Sequence, residues 1–120
     1  MNCKHLMTSL TICLLAAAMA AAENAALPRR CLELPPGPGN PRNSEGAFVT
    51  LKSGRILFAY TRFNGTHGGD NGAAVIAQRH SDDNGETWTK QDKIIVENEG
   101  TQNVMSVSLL RLANGRIALF

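Results

Sequence analysis

The chain has 120 residues, 43% hydrophobic and 18% charged, with 12 Lys and Arg against 10 Asp and Glu. The charges are spread along the sequence without runs. This argues against nucleic acid or an anionic membrane surface as partner, because either would call for a clustered basic patch.

The first predicted element is a targeting signal. Lys4 stands near the amino terminus, Leu6 to Ala18 is an apolar run of h-region length, and Ala20 and Ala22 form an Ala-x-Ala site. Residues 1–22 are therefore read as a signal peptide cleaved after Ala22, and the mature protein as secreted or periplasmic, with no membrane attachment after cleavage. A membrane anchor is the competing reading, but the run is shorter than the roughly 20 residues a spanning helix needs. Thr11 and Ile12, ahead of Cys13, fit a lipid-attachment box poorly. Cys3 and Cys13 leave with the signal, so Cys31 stands alone and no internal disulfide is expected.

Residues 23–45 carry Pro28, Pro35, Pro36, Pro38 and Pro41 together with Gly37 and Gly39. This composition resists both helix and central strand and predicts an extended lead-in. From Gly46 onward short apolar runs alternate with turn residues and no helical period appears, so residues 46–120 read as all-β. The runs are Ala47 to Leu51, Arg55 to Arg62, Ala73 to His80 and Thr87 to Val96. They predict a four-stranded antiparallel meander, with Ile56, Phe58 and Tyr60 on one face of the second strand by the period of two. Asn64-Gly65-Thr66, in the Gly-rich loop after that strand, is formally a glycosylation sequon.

A repeat follows. Leu51-Lys52-Ser53-Gly54-Arg55-Ile56 returns as Leu112-Ala113-Asn114-Gly115-Arg116-Ile117, 61 residues on, with Val49 matched by Leu110. Repetition of a four-stranded unit at this period predicts a β-propeller, in which about four to eight blades close a ring. On this reading blade one is residues 46–98 and a partial blade two is 103–120. One and a half blades cannot close a ring, and Phe120 falls inside the predicted second strand of blade two, so a fragment of a longer propeller is expected. The plainer alternative is a small β-sandwich of about 75 residues.

Ser81-Asp82-Asp83-Asn84-Gly85-Glu86-Thr87-Trp88 fits the Asp-box pattern Ser-x-Asp-x-Gly-x-Thr-Trp at every specified position. The expected work of Ser81, Asp83, Gly85, Thr87 and Trp88 is structural. Asp83 can accept hydrogen bonds from turn amides, Gly85 can take the positive φ of a tight hairpin, and Trp88 can plug the sheet edge. The loop lacks the ligand spacing and terminal bidentate Glu of an EF-hand, so no metal is assigned to it.

With the Asp-box in place the chain resembles the sialidases, over roughly Pro41 to Phe120. The resemblance rests on the Asp-box, the hairpin Gly54 to Phe58, an arginine ahead of the first strand (Arg42) and an aspartate on the loop leading to the Asp-box strand (Asp70, 11 residues before Ser81). It departs from the family pattern after Arg42, where Asn43-Ser44-Glu45 replaces Ile-Pro. The resemblance implies a six-bladed propeller and an exo-sialidase that removes terminal sialic acid from glycoconjugates with retention, without cofactor or metal. Arg42 would be the first of three arginines gripping the substrate carboxylate, a task suited to a planar donor that stays charged. Asp70 would be the general acid for the leaving oxygen. Arg62 would line the same pocket and Glu45 would orient Arg42. The other two arginines and the nucleophilic tyrosine with its glutamate would follow Phe120, so the fragment alone is expected to be inactive. Two alternatives stand beside this: a non-catalytic Asp-box propeller that binds glycan or protein, and a different secreted glycoside hydrolase on the same scaffold.

Overall fold

The computed structural model describes residues 28–100 and 102–120. The expected signal peptide and the first residues of the lead-in lie outside the described residues. The described residues form β1 (Asn43–Thr50), β2 (Ile56–Phe63), β3 (Ala74–Ser81), β4 (Lys93–Val96), β5 (Leu109–Arg111) and β6 (Ile117–Leu119), with no helix among them. The protein is all-β. β1 to β4 make one antiparallel sheet in chain order, and β5 and β6 make a second, two-stranded sheet.

The lead-in is shorter than its composition suggests. It holds a tight turn in which Gly37 and Asn40 exchange both backbone hydrogen bonds at 2.9 Å, with Gly39 at a φ of 69°. β1 then begins at Asn43, ahead of the apolar run, because Asn43 and Ser44 already pair with Arg62 and Thr61 of β2. A register shift between Ser44 and Gly46 leaves Glu45 as an extra residue, a bulge that re-aims its side chain. Gly46 is required by the aromatic packing: a Cβ there would lie 2.3 Å from the Phe58 ring.

β4 starts later than the apolar run, at Lys93. The reason is local. Thr89 N donates to His80 O at 3.0 Å, but His80 N donates to the Thr89 side-chain hydroxyl at 3.1 Å. A side chain thus replaces the ladder carbonyl, and the backbone from Thr89 to Asp92 leaves the sheet. A second shift at Ile76/Ala77 puts one extra residue in β4, and Ile95 and Val96 both pack on the same core.

The two faces of the main sheet are covered differently. Ala59 of β2 and Ile76 of β3 form a core with Val107, flanked by Ile95, Val96, Val104 and Leu109, so this face is closed by the second hairpin and the segment leading to it. The other face carries Ile56, Phe58 and Tyr60, in the alternation expected of β2. Phe48 stacks on Phe58 at 4.3 Å and Phe58 on Tyr60 at 5.3 Å, with Trp88 edge-on to Phe48 and Phe58 at 5.9 and 6.4 Å. Trp88 lies against this aromatic face, where it reaches Phe48 of the edge strand β1. Phe48 remains 59% exposed.

Burial also grades along the strands. Ala59 to Thr61, Phe63 and Ala74 to Ala77 are buried, all toward the end of the sheet where the loop 64–73 joins β2 to β3.

The sequence repeat is a repeat in space. In the first hairpin Leu51 N donates to Arg55 O at 2.7 Å and Gly54 N to Leu51 O at 3.0 Å; in the second, Leu112 N donates to Arg116 O and Gly115 N to Leu112 O, both at 2.8 Å. Gly54 and Gly115 take φ of 88° and 83°, values that disfavour a side chain. The two hairpins lie side by side: Arg111 donates to the carbonyls of Thr50 and Gly115.

Candidate functional site

Two polar assemblies occupy opposite ends of the main sheet, and a third lies on its aromatic face.

At one end is the Asp-box turn. Asp83 Oδ1 accepts from Thr87 N at 2.8 Å and from Ser81 Oγ at 2.7 Å, while Oδ2 accepts from Thr87 Oγ1 at 2.5 Å. Ser81 Oγ also accepts from Gly85 N at 2.8 Å, and Trp88 Nε1 donates to Gly85 O at 3.2 Å. Asn84 and Gly85 both take positive φ, 59° and 90°. The Thr87 hydroxyl and amide, then the Ser81 hydroxyl, hold the Asp83 carboxyl down to about 2. Arg55 ties this turn to the β1–β2 turn by a two-point pair with Asp82, at 2.7 and 2.9 Å. Each of these side chains is engaged by its own turn or the next, so the arrangement clasps two hairpin connections together.

At the other end Arg42, Glu45 and Asp70 meet. Arg42 immediately precedes β1 and is held by backbone pairing, since Phe63 N donates to its carbonyl at 3.0 Å. Its guanidinium lies 4.8 Å from the Phe63 ring centroid, a cation–π contact on a buried aromatic base. Arg42 Nη1 donates to Asp70 Oδ1 at 2.6 Å and to Gly68 O at 3.1 Å, and Nη2 lies 3.7 Å from Glu45 Oε1. Residues 28 positions apart are thus brought together by the β1–β2–β3 register. The loop His67-Gly68-Gly69-Asp70-Asn71-Gly72 can come this close only because of its glycines. A Cβ on Gly68 would sit 2.7 Å from the Arg42 Cβ, and one on Gly72 would sit 2.6 Å from His67 O. Asp70 is 80% exposed and Arg42 34% exposed, so the pair faces solvent from a firm base. Chemically it offers a permanent cation suited to a carboxylate and, beside it, a solvent-facing carboxyl group.

Arg62 is not part of this group. Strand alternation sends it to the aromatic face, where its Nε lies 3.1 Å from Asp92 Oδ2. Asp92 is the hub of the third assembly, which nothing in the sequence pointed to. Its Oδ1 accepts from Tyr60 Oη and from Arg79 Nε, each at 2.6 Å, and Arg79 Nη1 donates to Thr89 O at 2.7 Å. Burial works to raise Asp92, but the hydrogen bonds from Tyr60 and Arg79 and the charges of Arg79 and Arg62 outweigh it and hold the carboxyl below its ordinary range. Burial, and then the bond to Asp92, push the Tyr60 hydroxyl up, so it remains a donor. The period of two on β2 placed Tyr60 on this face, but Asp92 belongs to the irregular return after the Asp-box, and only the folded turn brings it under the strand.

A groove of about 540 Å³ runs between Arg29 to Leu32 and Leu34 of the lead-in and the face carrying Phe48, Phe58 and Tyr60. Glu45 lines it; Arg42 and Asp70 do not. The charge pair and the cavity are therefore neighbours that share Glu45. No protein-family model matches the chain, and no curated protein sequence matches it.

Proposed function

We propose that residues 41–120 are the opening part of a β-propeller exo-sialidase, secreted or periplasmic, acting on sialylated glycans. The observation that carries this reading is the Arg42–Asp70 pair, 2.6 Å apart, at the end of the sheet away from the Asp-box. A carboxylate sugar needs a fixed cation to hold it and a carboxyl within reach of the departing oxygen. Arg42 supplies the first and Asp70 the second, with Glu45 steadying Arg42 from the other side. The repeated hairpins, packed side by side with the same turn geometry, support blades in succession. Arg62, spent on Asp92, is left out of the proposed pocket.

The test is release of free sialic acid from sialyllactose by the protein expressed through its full reading frame. The 4-methylumbelliferyl sialoside serves as an activated comparison. A positioned general acid is worth about 10² to 10⁴ in rate, so Asp70→Asn should cut turnover of sialyllactose at least about 10²-fold and that of the activated glycoside far less. Equal small effects on both substrates would remove Asp70 from the chemistry.

One observation favours a second reading, a propeller that binds glycan without cleaving it: Arg42 and Asp70 satisfy each other. A well-folded protein that binds sialyllactose and releases no sialic acid would establish that reading instead.

A further inference from the structure

Asp70 is held from two sides. Arg42 grips its side chain, and Asn103, in the segment that joins the two sheets, grips its backbone. Asn103 Nδ2 donates to Asp70 O at 2.6 Å and to Gly72 O at 3.2 Å. Both partners are carbonyls, so the amide nitrogen must be the atom that faces them. We infer that Asn103 is a positioning residue for Asp70: it fixes the backbone of the 70–72 turn so that the carboxyl meets Arg42 and the substrate in one orientation. This inference rests on the exo-sialidase reading above and adds to it a residue from outside the first sheet.

The segment that carries Asn103 is itself pinned. Val104 N donates to Ala74 O at 3.2 Å, and Ser106 N donates to the buried Thr61 hydroxyl at 3.1 Å. Val104 and Val107 pack on the core of the main sheet. Ser106 takes a φ of 67°, a conformation unusual for a serine that the bond to Thr61 helps to hold. Asn103 therefore projects from a fixed base to a glycine-rich loop whose intrinsic freedom is large. Within the loop, Gly72 N donates to Gly69 O at 2.7 Å and Gly69 N to His67 Nδ1 at 3.2 Å. Those bonds shape the turn but do not anchor it to the sheet. Asn103 does, and so the second repeat unit aligns the acid of the first.

A misplacement of about 1 Å at a reacting group can cost on the order of 10²-fold in rate. The experiment, on the protein expressed through its full reading frame, compares Asn103→Ala, Asn103→Asp and Asn103→Gln with wild type on sialyllactose and on the 4-methylumbelliferyl sialoside, with the thermal midpoint of each protein. Sialyllactose has a poor leaving group and needs its proton; 4-methylumbelliferone leaves with little help. The expected result is a fall in kcat on sialyllactose of about 10- to 100-fold for Asn103→Ala, with KM little changed and a small effect on the activated glycoside. Asn103→Asp keeps the shape but turns an acceptor toward two carbonyls, and should be at least as impaired. Asn103→Gln, which keeps the donor, should recover part of the rate. If Asn103→Ala does not fold, the Asp and Gln variants carry the same comparison. Equal losses on both substrates, or no loss in any folded variant, would overturn the positioning role while leaving the sialidase reading intact. Failure of wild type to release sialic acid from either substrate would overturn both.

Discussion

Replacing Tyr60 by phenylalanine removes one oxygen from the interior and leaves the ring in place. Tyr60 is 1% exposed, and its hydroxyl donates to Asp92 at 2.6 Å. The apolar burial of the side chain is unchanged, so the effect isolates the hydrogen bond. A bond to a charged acceptor contributes about 1.5–3 kcal/mol. Asp92 keeps Arg79 and Arg62 in the variant, so the carboxylate is not orphaned, which places the loss near the lower end, about 1.5 kcal/mol. Urea unfolding at pH 7 with an unchanged m value reads it directly. A second signature follows from the titration of Asp92. Its folded carboxyl is held below the ordinary value, so its contribution is present above the unfolded pKa and is lost as pH falls through the folded one. Tyr60 is one of the groups that lower it. In Tyr60→Phe the folded pKa therefore rises toward the unfolded value, and the variant should show less stability to lose on acidification than wild type. A loss under about 0.5 kcal/mol at pH 7, with the acid limb unmoved, would show that the Asp92 hub does not depend on Tyr60.

The Asp-box gives a sharper pH window. With the Asp83 carboxyl held at about 2 against an unfolded value of about 4, its contribution is complete above the unfolded value and disappears as pH falls through the folded one. Asp83→Asn should therefore be less stable than wild type at neutral pH and should flatten the stability-versus-pH curve in that window, as measured by thermal melts across it. The twin hairpins predict twin effects: Gly54→Ala and Gly115→Ala each force a side chain into a φ above 80°, at about 1–2 kcal/mol. Gly115→Ala meets only the flexible end of Lys52 at 2.7 Å, so urea midpoints should fall by similar amounts; a much larger loss at one turn would show that the two are not equivalent. The Asp70 and Asn103 variants test the chemistry, as set out above.

Several features could be read from residue order because they depend on near neighbours. Alternation on β2 put Phe58 and Tyr60 on one face. The Gly54 and Gly115 turns follow from a six-residue repeat, and the Asp-box spacing already contains the Ser81, Asp83 and Thr87 partners, which lie within six residues of one another. The ends of β1 and β4 did not follow hydrophobicity. Asn43 is polar yet paired, and Thr89 is strand-like yet bonds with its side chain, because hydrogen-bond partners from another strand decided both.

The sequence by itself determined an all-β chain of repeated hairpins with an Asp-box turn, and it singled out Arg42 and Asp70 as residues of the right chemistry. Only the tertiary structure decided which charges share a site. It joined Arg42 to Asp70, sent Arg62 to Asp92 on the opposite face, and set Asn103 against the Asp70 loop. The physical reason is that a strand's alternation fixes which face a side chain takes, but its partner on that face comes from a distant loop. Where that loop lies depends on the register, the bulge at Glu45 and the packing of the second hairpin.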